Sequence, residues 1–183
     1  MKSIPDVKNV LNGVRAVVFD LDGTLYDRHG LAKRMVRRLW WCLPMMIIDR
    51  VAKGRCWRWI VSTRWHRRVY LPTMVRLIAD YCPRREEVIA LAQEAKRQGL
   101  KTALYSDYGA VEDKLQVLKV DKTLFDLLIT APELGGLKPS KACAMQVLTR
   151  LNASPETTLF VGDRDEKDGQ AARNVGARFL LIS

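Results

Sequence analysis

From residue 84 onward, apolar runs of strand length alternate with segments of helical spacing, and few folds accept that pattern. The segment "REEVIALAQEAKRQG" (85–99) repeats its apolar residues at helical intervals and closes on a glycine. A strand run, "KTALYSD" (101–107), follows it, then a helix over "AVEDKLQVLKV". The order continues with strand "DLLIT" (126–130), helix "SKACAMQVLTRL" (140–151) and strand "TLFVGD" (158–163). A helix over "KDGQAARNVG" (167–176) and a last strand "RFLLI" (178–182) complete it. Near the N-terminus, "VRAVVFDLDGT" (14–24) supplies one more buried-strand run, ending in acids and glycine. Strands separated by helices predict an α/β chain with a parallel sheet covered on both faces, a Rossmann-like three-layer core.

The stretch between the first strand and residue 84 breaks the pattern. From Arg28 to Tyr70 there are twelve Lys or Arg and one acid, Asp49. The whole chain of 183 residues carries +11, so everything outside that stretch is electrically neutral. All five tryptophans (Trp40, Trp41, Trp57, Trp59, Trp65) fall inside it. The length suits one domain with a small insertion. The core is assigned to 1–25 and 84–183, and the basic insert to 26–83.

Four cysteines (Cys42, Cys56, Cys82, Cys143) lack CxxC spacing and read as free thiols of a reducing compartment. A zinc site on Cys42, Cys56 and His66 lacks ligand spacing. No apolar signal region is visible in "MKSIPDVKNVLNG", and the longest apolar run, "LWWCLPMMII" (39–48), falls short of the roughly twenty residues of a helical span. The expected location is cytoplasmic, with peripheral attachment to a membrane surface left open by the insert.

In open α/β sheets ligands bind beyond the carboxyl ends of the strands. Asp20, Asp22, Gly23 and Thr24 follow the first strand, Ser106 and Asp107 the second, and Asp163 and Asp168 the fourth, while Lys138 stands in "GGLKPSK" before a helix. Carboxylates on one rim suit Mg²⁺, which shares oxygen ligands with phosphate, and a lysine with a hydroxyl can neutralise the remaining phosphate oxygens. Two acids at i and i+2 can divide the labour, one attacking phosphorus and the other moving protons. Taken alone, Asp20 and Asp22 read equally well as turn and cap residues. Asp107, Asp165, Lys141, His29 and His66 read as cap, solvated, loop or surface residues.

Together, "DLDGT", Ser106, "LKPSK" and "GDRDEKD" resemble the four ordered motifs of the haloacid-dehalogenase-like hydrolases, over residues 14–25 and about 84–183. The resemblance implies Asp20 as a nucleophile that forms an aspartyl-phosphate. It implies Asp22 as the acid for the leaving group and then the base for water, with its backbone carbonyl on the metal. Gly23, Thr24, Ser106, Asp107 and Lys138 would contact the phosphate. Asp20, Asp22, Asp163 and Asp168 would hold Mg²⁺. Helix phase favours Asp168 over Asp165 as the second acid of the last motif, although Asp165 and Glu166 are extra acids and Arg164 stands where a small residue is usual. An acid at position 22 favours a phosphatase over a dehalogenase. A phosphotransferase or mutase sharing the intermediate, and a non-catalytic module acting through the insert, remain as alternatives. The implied substrate is a small phosphorylated molecule.

By the same resemblance, 26–83 is a helical cap of the C1 type, inserted after the first strand. Its first helix is expected to place Leu31, Ala32, Met35, Val36, Leu39, Cys42 and Leu43 on one arc, with Lys33, Arg34, Arg37, Arg38, Trp40 and Trp41 opposite. In "GRCWRWIVSTRWHRRVY" (54–70), Trp57, Val61 and Trp65 share a stripe with Arg64 and Arg68. Such a segment serves as the cap's own core, as a surface for anionic lipid, or as a contact for a polyanion or a protein. Nucleic acid is the least favoured, since no nucleic-acid motif accompanies it. Oligomeric state is not legible.

Overall fold

The computed structural model describes residues 7–42 and 64–182. Five parallel strands form one sheet: β1 (Ala16–Phe19), β2 (Lys101–Ser106), β3 (Leu127–Thr130), β4 (Thr158–Gly162) and β5 (Arg178–Leu181), in the order β3-β2-β1-β4-β5. The α/β reading therefore holds, with each expected strand and helix of 84–182 in place.

The two covered faces follow from side-chain alternation. On β1, Val17 and Phe19 face one apolar cluster while Ala16 and Val18 face another. The first cluster is covered by α3 (Glu86–Arg97), which contributes Val88, Leu91, Ala92 and Ala95, and by α4 (Val111–Val117), which contributes Val111 and Leu115. The second is covered by α5 (Lys141–Leu151), through Ala144, Val147 and Leu148, and by α6 (Gln170–Val175), through Ala171 and Ala172. Helix α3 is well suited to its ends, with Glu86 and Glu87 in the first turn and Lys96 and Arg97 in the last, each sign opposite to the helix dipole. The two clusters on opposite faces make the three layers.

The insert leaves the core at Tyr26 and returns at Arg84, where the two residues form an isolated antiparallel bridge. Asp27 N–H donates to the Pro83 carbonyl (2.8 Å) and Arg85 N–H to the Leu25 carbonyl (2.8 Å), so the two ends run side by side. The described part of the insert is helical: α1 (Leu31–Arg38), a short 3-10 turn at Trp40–Cys42, a wide π turn at His66–Tyr70, and α2 (Leu71–Tyr81) running on from it. Leu31, Met35 and Leu39 of the first half and Met74 and Ile78 of α2 join the same apolar cluster that underlies β1. Trp65 packs against that cluster and tilts onto the Tyr70 ring at 5.6 Å.

Three expectations for the insert need correction. The first helix ends at Arg38, with Leu39 leaving helical geometry, instead of running on through Leu43. Only its i, i+4, i+8 row is buried, packed with Met74 and Ile78 of α2 in one apolar cluster; Ala32 and Val36 are exposed. His66 is buried at 2% exposure, its ring stacked on Tyr70 (5.1 Å), because the wide turn directs it inward. Cys56, Trp57, Trp59 and Val61, with Leu43, lie outside the described residues; Arg64 and Arg68 are exposed.

Candidate active site

The carboxyl ends of β1, β2 and β4 lie side by side because these strands are neighbours, so the residues after them converge. The Asp20 N–H donates to the Val161 carbonyl (2.8 Å), extending the pairing of β1 with β4 by one residue and fixing where the carboxylate emerges. Asp20, Asp22, Thr24, Ser106, Asp107, Lys138 and Asp168 are all buried, and Asp163 is half-buried.

Lys138 is the hub. Its Nζ donates to Asp20 Oδ1 (2.5 Å) and to Asp168 Oδ1 (2.7 Å) and lies 4.7 Å from the centre of the Tyr105 ring. Burial works against its charge, but the carboxylates of Asp20, Asp168 and Asp107 outweigh that and hold the ammonium far above its ordinary range. The other Asp20 oxygen accepts from Thr24 Oγ1 (2.9 Å). Asp107 does not reach this pair directly: its Oδ1 accepts the Lys138 backbone N–H (3.0 Å) and its Oδ2 pairs with Lys167 (3.2 Å), so it anchors the loop that carries the lysine.

Asp22 faces a different set of donors. It accepts from Ser106 Oγ (2.8 Å), from the Tyr26 hydroxyl (2.6 Å), and with both oxygens from Lys114 Nζ (2.7 and 2.9 Å). Burial alone would raise its pKa, but the Lys114 charge and these hydrogen bonds bring it below the usual carboxylate value. Ser106 also accepts the Tyr108 N–H (3.0 Å), which fixes its hydroxyl. Lys114, with no exposed surface, belongs to none of the four motifs. Its signal was present: in α4 it shares the apolar arc of Val111, Leu115 and Leu118, where a lysine needs a buried partner. Tyr26, also fully buried, likewise lies outside the motifs.

Asp20, Asp163 and Asp168 offer oxygens that lie within 4.8 Å of one another. Asp163 Oδ1 is buried and accepts no hydrogen bond among the described residues, although the Arg164 guanidinium lies 3.8 Å away. An all-carboxylate donor set with an unused buried oxygen fits a hard divalent cation such as Mg²⁺. Burial raises the pKa of both Asp163 and Asp168, offset only in part by Arg28 and Arg164 for the first and by Lys138 for the second. Arg28 Nη2 pairs with Asp163 Oδ2 at 2.9 Å. Asp165 stays outside, exposed and paired with Arg173 (2.8 Å).

Glycine is needed at two points of this arrangement. Gly23 has φ +107, and a Cβ there would stand 2.3 Å from Asp163 Oδ2 and 2.7 Å from Arg28 Nε. At Gly162 a Cβ would meet the Asp168 side chain at 2.4 Å.

A model of the family described as haloacid dehalogenase-like hydrolase matches residues 14–176. Among curated proteins, the pyrophosphatase PpaX of Bacillus mycoides is 32% identical over 109 residues, 58% of this chain and 48% of that protein. The chain thus spans about half the length of the curated relatives it matches. Among solved structures, a putative beta-phosphoglucomutase from Thermotoga maritima superimposes with a TM-score of 0.70 at 21% identity, covering 93% of this chain and 86% of that one. A HAD phosphatase from Thermococcus onnurineus gives 0.68 at 17% identity, with the same coverage. At these identities the structures show a shared fold.

Proposed function

Because the chain belongs to the haloacid dehalogenase-like hydrolase family, we propose that it is a Mg²⁺-dependent phosphatase that cleaves a small phosphate monoester through an aspartyl-phosphate on Asp20. One observation carries this reading: a single buried lysine bridges Asp20 and Asp168 while Asp163 completes a carboxylate cluster beside them. That arrangement prepares one carboxylate for attack and leaves positive charge where phosphoryl oxygens would gather.

In the proposed reaction Asp20 attacks phosphorus with an oxygen now held by Lys138 or Thr24. Lys138, Thr24 and Ser106 bind the phosphoryl oxygens, and the Gly23 backbone allows close approach. Asp107 keeps Lys138 in place. Asp20, Asp163, Asp168 and the Asp22 backbone carbonyl would hold Mg²⁺, which supplies positive charge against the phosphoryl group. Asp22, after turning from Lys114 and taking a proton, protonates the departing oxygen. The resulting carboxylate then takes a proton from the water that hydrolyses the acyl phosphate. If a sugar or alcohol replaced that water, the same site would act as a phosphotransferase.

A second reading, cleavage of a phosphoanhydride, is favoured by the name of the PpaX relatives and by the hold of Lys114 on Asp22. A phosphate leaving group needs less help from an acid than an alcohol does.

The test is phosphate release from an aryl phosphate, a panel of sugar and lipid phosphates, and inorganic pyrophosphate, each with Mg²⁺ and with chelator. Asp20→Asn is expected to lower kcat at least about 10³-fold. Turnover independent of Mg²⁺, or none on any of these compounds, would overturn the enzymatic reading. Transfer to an added alcohol without net phosphate release would assign the phosphotransferase.

A further inference from the structure

The basic insert has a face that the catalytic reading does not use. Helix α1 buries Leu31, Met35 and Leu39, and the rest of its circumference, half-buried Arg34 aside, is exposed. The neighbouring row reads Ala32 and Val36, exposed aliphatic residues, and the chain then turns to present Trp40 (68% exposed) and Trp41 (59%). Beside that row stand Lys33 and Arg37, both exposed, and among the described residues neither pairs with a carboxylate; Arg38, also exposed, lies on the other flank with Arg34. Arg34 is engaged instead, 4.6 Å over the Tyr81 ring. The outer face of α1 thus has an apolar row ending in two indoles, and a basic row alongside.

We propose that this face, Ala32, Val36, Trp40 and Trp41 with Lys33 and Arg37, docks on an anionic lipid bilayer. Indoles settle at the headgroup level, where an apolar ring and a polar N–H are both accommodated. Lysine and arginine stems lie along apolar surface while their charges reach lipid phosphates and carboxylates. An apolar row within a basic helical surface suits the interface plane. Exposed aliphatic residues decide against a nucleic acid, whose contacts are stacking, hydrogen bonds and phosphate charge. Residues 43–63 carry Arg50, Lys53, Arg55 and Arg58 against Asp49, the same sign as α1. That excess adds to the attraction for an anionic surface. Among the described residues no helix is long and apolar enough to cross a membrane, so the contact is with one leaflet.

The experiment is sedimentation of the full chain with vesicles of phosphatidylcholine, with and without about a third phosphatidylserine, at about 0.1 M salt. Strong preference for the phosphatidylserine vesicles is expected. Replacing Lys33 and Arg37 by Gln is expected to weaken binding roughly fivefold per residue. Trp40→Ala with Trp41→Ala, at unchanged charge, is expected to weaken it roughly tenfold. Both variants are expected to keep the wild-type melting temperature. Three results would overturn the proposal: equal or negligible binding to both vesicle types, binding indifferent to the indole pair, or binding to single-stranded oligonucleotides without binding to vesicles. A clear fall in melting temperature on removing the indoles would also overturn it, since it would place them under the chain's own cover. Vesicle binding requires no turnover, so failure here leaves the phosphatase proposal intact.

Discussion

Lys114 shows best how single residues set this site. With no exposed surface and its Nζ on both oxygens of Asp22, it is one half of a buried ion pair. Removing one partner of such a pair leaves an uncompensated charge, at a cost of about 3–5 kcal/mol. Lys114→Met is therefore expected to destabilise the protein by that amount at neutral pH, and adding Asp22→Asn to recover a large part of it. Urea unfolding of the two singles and the double gives the coupling, and additive effects would contradict the pairing. Gly23→Ala presents the opposite case, an added methyl directed at Asp163 Oδ2 from a backbone with φ +107. Its expected result is loss of most Mg²⁺-dependent turnover, with Mg²⁺ binding by calorimetry weakened at least about tenfold. The sequence made Asp20, Asp22, Ser106, Lys138, Asp163 and Asp168 legible because each follows a strand or opens a helix that its own neighbours announce. Lys114 and Tyr26 act through contacts between distant elements, so the only local trace was a lysine on an apolar helical arc.

At the level of elements, the strands and helices of the core matched expectation because each satisfies a local period and the neighbours satisfy it too. The insert departed from expectation where helical periodicity had to guess how wide a partner would cover it. Its π turn has a consequence for pH. Burial, and then the Lys114 charge, bring the His66 imidazole down to about 4, against an ordinary value of about 6.5. The folded state thus favours the neutral ring, and the unfolded chain binds the extra proton. Stability from this source is full above about pH 6.5 and is lost as pH falls toward 4. Between pH 7 and pH 5 the wild type is expected to lose about 2 kcal/mol more than His66→Phe. Parallel urea titrations at the two pH values check it; equal losses would show that the ring titrates normally.

For the whole molecule, the proposed Mg²⁺ site predicts that the Asp163 and Asp168 carboxylates make the folded state a better ligand for the cation than the unfolded chain. Mg²⁺ at about a hundred times its dissociation constant is expected to add about 2.7 kcal/mol of stability, a rise of roughly 5–10 °C in Tm at this size. Asp163→Asn is expected to remove most of that rise, and thermal unfolding with Mg²⁺ against chelator reads it directly. Net charge gives a second whole-molecule division, a neutral α/β body with every excess positive charge placed in one insertion.

The neck of that insertion, where Asp27 meets Pro83 and Arg85 meets Leu25, gives the chain evolutionary latitude. With both ends pinned side by side, lengthening the excursion costs little, about 0.6 kcal/mol of closure entropy for each doubling. Among the described residues of the excursion, Leu31, Met35, Leu39, Met74, Ile78 and Cys82 are buried in the sheet's apolar cluster, and Trp65, Val69, Tyr70, Leu71 and Leu77 pack against it. Exposed positions such as Lys33, Arg37, Trp40 and Trp41 can drift toward whatever the excursion encounters, whereas Arg28 answers to Asp163 of the candidate site. Such a neck is a natural grafting point, where one catalytic body could be fitted with a different outer surface by exchanging the sequence between two backbone clasps.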